Sequence, residues 1–166
     1  MTRRFALIPL ALISALLIAA CGGSSYGGGS ASSNTSDSTS ARPTAPATSA
    51  IGTKKTSLGT VLVNAQGRTL YLWDADKGSM SACNGECAQD WPPLTTKGTP
   101  KASGSVKASL LGTTKRSDGS REVTYAGHPL YTYEGDTAPG QATGQGSSAF
   151  GAPWWVVTPA GAALQR

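Results

Sequence analysis

Apolar and polar positions alternate with a two-residue period in several short stretches of the C-terminal part of the chain. In Leu70-Tyr71-Leu72-Trp73 the two aromatic rings face one way and the two leucines the other. Both sides are apolar, so this strand is predicted to lie between two layers. β-prone runs precede it and a sister segment, Val61-Leu62-Val63 and Val123-Thr124-Tyr125. They connect onward through Asn64-Ala65-Gln66-Gly67 and the tighter Ala126-Gly127, which predicts hairpins. Asp118-Gly119 marks another turn, between Leu110–Thr114 and Arg121–Tyr125, and Trp154–Val157 reads as a closing strand. No long stretch carries a helical apolar period. The expected fold is all-β, a small sandwich or barrel.

The architecture has an internal repeat. Gly67–Asp76 aligns without gaps on Gly127–Asp136, sixty positions on, and Gly, Leu, Tyr, an aromatic residue and Asp recur at matching places. Each copy continues into a Gly/Ser/Cys-rich loop and then tryptophan, Trp91 in the first and Trp154 with Trp155 in the second. Two diverged, hairpin-containing units follow, one over about 57–95 and one over about 108–161, within a domain spanning 57–166. Tyr71, Trp73 and Asp76, with Tyr131, Tyr133 and Asp136, read as folding anchors. Matching anchors suit a pseudo-twofold core, whereas catalysis needs groups that converge on one place. The two aspartates sit where a carboxylate accepts backbone N–H bonds of a turn. Trp91, Trp154 and Trp155 are the aromatic candidates for contacting a ligand.

At the N-terminus, Arg3 and Arg4 precede an apolar run from Phe5 to Ala20, the layout of a secretory signal over 1–20. Leu16-Leu17-Ile18-Ala19-Ala20-Cys21 resembles a bacterial lipobox, which implies that Cys21 becomes the lipidated N-terminus. The resemblance implies diacylglycerol on its thiol and a further acyl chain, such as palmitate, on its amine. Two or three acyl chains hold a protein firmly, at about 0.8 kcal/mol per buried methylene. From 21 to 56 the composition turns to Gly, Ser, Thr, Ala and Pro, predicting a tether whose residues after Cys21 span roughly 30 to 35 Å. The domain is thus expected on the bacterial cell envelope, at the outer face of the plasma membrane or on the outer membrane.

With Cys21 lipidated, Cys83 and Cys87 remain, an even pair in an oxidising compartment and therefore a predicted disulfide. Its loop is short and mainly fixes local geometry. A redox-active pair is the alternative. Zinc is disfavoured, because two thiols and the lone His128 fall short of four ligands.

These elements together resemble the secreted-repeat lipoproteins that carry a Tyr-x-(Phe/Trp/Tyr)-x-x-Asp motif. The motif stands here twice, as Tyr71-x-Trp73-x-x-Asp76 and Tyr131-x-Tyr133-x-x-Asp136. Cys83, Cys87 and Trp91-Pro92-Pro93 match the family's Cys-x-x-x-Cys and Trp-Pro-Pro, and Gly127–Tyr131 its second-repeat signature. The resemblance implies class and location and assigns no activity.

Charge and candidate chemistry narrow the function little. The 14 Lys and Arg against 9 Asp and Glu give a formal +5, which falls to +3 once Arg3 and Arg4 leave. Without a basic cluster this excludes nucleic acid as an expected partner. One histidine cannot assemble a hydrolytic triad with confidence, and Gly144–Ser148 lacks the lysine of a phosphate loop. The expected protein is not an enzyme and needs no cofactor. It is a membrane-anchored binding or structural module for an envelope protein or small ligand. The alternative is a redox or metal-handling protein that uses Cys83/Cys87, or haem or copper at His128, with tyrosines and tryptophans as electron-relay groups.

Overall fold

A computed structural model describes residues 49–165. The signal segment, Cys21 and the tether before Ser49 lie outside the described residues. Among the described residues eight short strands form three small sheets that do not close into a barrel. β1 (Ala50–Thr56) joins β2 (Gly59–Asn64) through a tight hairpin, with β4 (Lys101–Ala102) parallel on its other edge. β5 (Leu111–Lys115), β6 (Arg121–Tyr125) and β7 (His128–Pro129) form a meander whose first turn is at Asp118-Gly119. β3 (Tyr71–Trp73) pairs antiparallel with β8 (Trp154–Val156).

β3 is buried on both faces, as its pattern predicts. Tyr71 and Trp73 enter one core with Val61, Val63, Cys83, Cys87, Trp91, Tyr131 and Trp154. Leu70 and Leu72 enter the other with Ile51, Leu62, Val123, Tyr125, Leu130 and Val157. A strand with two dry faces holds both cores in register, because slipping it by one residue exchanges every side chain between them.

Two sequence expectations need correction. The tether does not run to residue 56. Ala50–Thr56 is β1, and Ile51 is fully buried. Its Lys54-Lys55 pair and small residues resemble linker composition, yet β2 pairs along its length from Ile51↔Asn64 to Thr56↔Gly59. One short helix, α1 (Glu86–Asp90), also goes unpredicted. Gly85 enters it at φ +58°, which glycine adopts at little cost, and Trp91 N–H closes it on the Cys87 carbonyl at 2.8 Å. Five residues are too few to show a helical period.

The two copies exchange their closing segments. In the first, Leu70 N–H donates to Leu62 O, Leu62 N–H to Val157 O, and Val157 N–H to Leu70 O, at 2.9 to 3.0 Å. In the second, Leu130 N–H donates to Val123 O, Val123 N–H to Leu94 O, and Leu94 N–H to Leu130 O, at 2.8 to 3.0 Å. Val157 closes the second copy in sequence but completes the first in space, and Leu94 does the converse. At the centre Tyr71 and Tyr131 exchange backbone bonds of 2.9 and 3.0 Å.

Because each half lacks its partner's closing segment, it leaves backbone groups and apolar surface unpaired when alone. Residues 49–108 and 109–165, expressed separately, should therefore each show no cooperative thermal transition, and mixing them should restore one. A cooperative melt by either fragment alone would contradict the exchange.

Candidate functional site

The motif residues of both copies meet in the first core. The Tyr71 hydroxyl donates to Asp136 Oδ2 at 2.6 Å, and the Tyr131 hydroxyl donates to Asp76 Oδ2 at 2.8 Å. The tyrosine of each copy is thus bonded to the aspartate of the other. The second oxygen of each carboxylate serves its own turn. Asp76 Oδ1 accepts Ala82 N–H at 2.8 Å, and Asp136 Oδ1 accepts Thr143 N–H at 2.8 Å and the Thr143 hydroxyl at 2.7 Å. The local role follows the sequence reading. The cross-copy role does not.

Burial shifts Tyr71, Tyr131 and Asp76 in one direction. It raises both phenols, and bonding to Asp136 raises Tyr71 further, as the Glu122 charge does Tyr131. Burial also raises Asp76, against the opposing pull of the Ala82 N–H, Tyr131 and Arg116. The phenols stay protonated and donate, while the carboxylates accept.

Around the tyrosines the aromatic rings interleave. Trp73 stacks on Trp154 at 5.0 Å between centroids, Trp154 on Trp91 at 4.0 Å, and Trp91 on Tyr133 at 4.3 Å. The copies alternate along this four-ring column. Tyr71 meets the edge of Trp91 at 5.2 Å and Tyr131 that of Trp154 at 5.1 Å, the offset geometry that ring quadrupoles favour. Trp91 is 1% exposed and Trp154 not at all. The ligand-contacting role expected of these two is therefore corrected: their faces are covered by each other and by neighbouring rings. Trp155 is half-buried, and its Nε1 donates to Asp74 Oδ2 at 2.8 Å.

Cys83 and Cys87 form a disulfide inside this core. Beside it lies an ion pair that the sequence reading missed. Arg116 Nη1 donates to Glu122 Oε2 at 2.6 Å, with side chains 2% and 0% exposed. The same guanidinium donates to Ser81 Oγ at 2.5 Å and to the Cys83 carbonyl at 2.5 Å. Ser81 in turn shares a 2.7 Å bond with the Tyr131 hydroxyl. A polar chain thus runs from Glu122 through Arg116, Ser81 and Tyr131 to Asp76, and it pins the disulfide loop to β6. The backbone bonds equate Leu62 with Val123, so Glu122 stands where the first copy has apolar Val61, an equivalence that the sixty-residue offset of the sequence does not give. Burial pushes the Glu122 carboxyl up to about 7, with Arg116 opposing.

His128 lies half-buried in β7. Among the described residues no cluster of three or more His, Cys, Asp or Glu side chains is arranged to hold a metal.

The model of a family described as a secreted repeat of unknown function matches the chain twice, over 52–95 and 112–158. Together these spans cover more than half of the sequence, and each begins inside a pairing strand. A secreted repeat lies outside the cytoplasm, the setting in which a disulfide persists. No curated protein and no solved structure matches the chain. No helix among the described residues is long and apolar enough to cross a membrane.

If phenol and carboxylate act as one unit, removing either strands the other in a buried site. Tyr71→Phe and Asp136→Asn should each destabilise, but the double variant should cost less than their sum by about 1 to 3 kcal/mol in denaturant melts. Strict additivity would show that the bond carries nothing. The ion pair gives a separate expectation. A carboxyl raised in the folded state favours folding most below its unfolded value of 4.5. That contribution is lost as pH rises through about 7. Glu122→Gln should therefore flatten the fall in melting temperature over this window, leaving the part due to Asp76. An equal slope in wild type and variant would contradict it.

Proposed function

We propose, from the premise that the chain belongs to the secreted-repeat family whose model its two copies match, that it is a lipid-anchored module of the cell envelope without catalytic chemistry. Cys21 carries the lipid, the segment after it spaces the domain from the membrane, and the domain displays an outer surface to an envelope protein or a small ligand.

One observation carries this reading. The motif's two tyrosines and two aspartates, with Trp73, Trp91 and Trp154, are all engaged in joining the copies. A hydrolytic or transfer site needs a nucleophile, a base and an open position between them. Here the phenols and carboxylates are bonded to one another, and the indole faces are covered. What remains for recognition is the surface around the half-buried Trp155, together with loops that differ between the copies. The apolar run ending in Ala19-Ala20-Cys21 supports the anchor.

The anchor is tested by phase partitioning of the exported protein. The native chain should enter the detergent phase, and Cys21→Ser should move it to the aqueous phase while the melting temperature stays the same. Equal partitioning of the two would refute lipidation at Cys21.

A further inference from the structure

We propose that the four-ring column and the two carboxylate-bonded tyrosines form a one-electron relay, which takes up oxidising equivalents from peroxyl radicals reaching the domain surface and holds them as tyrosyl radicals on Tyr71 and Tyr131. This goes beyond the envelope-module reading and is independent of the anchor.

The column offers a continuous path. Trp73, Trp154, Trp91 and Tyr133 follow one another at centroid distances of 5.0, 4.0 and 4.3 Å. Its Tyr133 end is half-buried, and Trp73 at the other end is 7% exposed. An electron can therefore leave through either end without the oxidant entering the core. Both phenols touch the inner pair, Tyr71 on Trp91 at 5.2 Å and Tyr131 on Trp154 at 5.1 Å.

Proton acceptors decide where the oxidation comes to rest. An oxidised indole is strongly acidic and becomes a stable neutral radical only by losing its N–H proton. Trp91 Nε1 is buried with no hydrogen-bond partner among the described residues. Trp73 and Trp154 donate only to the carbonyls of Ala152 and Ala149, which are too weakly basic to keep a proton. The positive hole consequently stays mobile on the column. Among the described residues only Tyr71 and Tyr131 point hydroxyls at carboxylates, at 2.6 and 2.8 Å. Tyr133 has no such partner among the described residues. The raised phenols exclude a phenolate route, so electron and proton leave together.

The step balances as follows. A peroxyl radical takes one electron at the half-buried Tyr133 end of the column and, with one proton from water, becomes a hydroperoxide. The column regains its electron from Tyr71 or Tyr131. That phenol passes its proton to Asp136 or Asp76, leaving a neutral tyrosyl radical bonded to a neutral carboxylic acid. No charge is left buried, which is what makes the resting state favourable in a dry core.

Pulse radiolysis that generates halogenated alkylperoxyl radicals tests this on the exported chain carrying Cys21→Ser, where no detergent competes for radicals. The indolyl absorption should decay as the tyrosyl absorption grows, with a single first-order rate independent of protein concentration and slower in deuterated water. Tyr71→Phe with Tyr131→Phe keeps the ring contacts and should slow that growth at least about tenfold. Asp76→Asn with Asp136→Asn should slow it comparably by removing the proton acceptors. Circular dichroism confirms that each variant is native. A native double-Phe variant with the wild-type rate would overturn the relay, because the radical would then reside on other tyrosines. Should that variant not fold, the isotope effect on the wild-type chain decides: its absence overturns the proposal.

Discussion

Each Tyr–Asp motif in this domain is completed only by the other copy. Tyr71 reaches Asp136 and Tyr131 reaches Asp76, while the same two tyrosines exchange backbone bonds across the pseudo-twofold axis. A phenol buried without an acceptor costs about 1 to 3 kcal/mol, and a carboxylate without donors costs more. Folding one copy therefore leaves polar debts that only the second can satisfy. That reciprocity explains the swapped closing segments, the alternating tryptophans and the burial of β3 on both faces. Each is a different way in which one half finishes the other.

The aromatic column has the same logic in apolar form. Trp91 closes α1 and Trp154 opens β8, so each stands where the long loop of its copy ends, and a tryptophan delivered by a loop stays ordered only when its faces are covered. Here each covers the other at 4.0 Å. The disulfide and the Arg116 bond to the Cys83 carbonyl then fix the loop that delivers Trp91. The second copy has no cysteines. Its loop is held instead by Gln145, whose Oε1 accepts Val156 N–H at 2.8 Å, and by the Trp154 Nε1 bond to Ala149. Two unlike devices thus hold equivalent rings in equivalent places.

Much of this is legible in the sequence, because alternation and repetition are local signals. The two-faced strand at Leu70–Trp73, the Asp118-Gly119 hairpin and the duplicated motif all follow from residues a few positions apart. The partnership of Tyr71 with Asp136 does not, since sequence shows that two copies exist but not that they trade partners. β1 is hidden because lysine, threonine and glycine suit a tether and a half-exposed strand alike, and only pairing with β2 and β4 separates the two. Trp91 and Trp154 pointed the wrong way for a related reason. A tryptophan in a Gly/Ser-rich loop resembles a ligand contact until a second loop is seen to supply the ligand.

The copies diverge where the lock does not constrain them. The first carries Val61 facing the core and the cysteine loop. The second carries Glu122 at the same phase of its strand, neutralised by Arg116, which reaches across to grip that cysteine loop. Placing a carboxylate in a dry core is costly unless its counter-charge arrives with it. Both members of the pair come from the second copy, whereas their remaining bonds go to Ser81 and Cys83 of the first. The charge pair therefore distinguishes the two halves within one symmetric frame, and it does so beside the disulfide, the most asymmetric element of the core. A frame held by reciprocal bonds leaves its loops free to differ, which is where a recognition surface peculiar to this protein has room to arise.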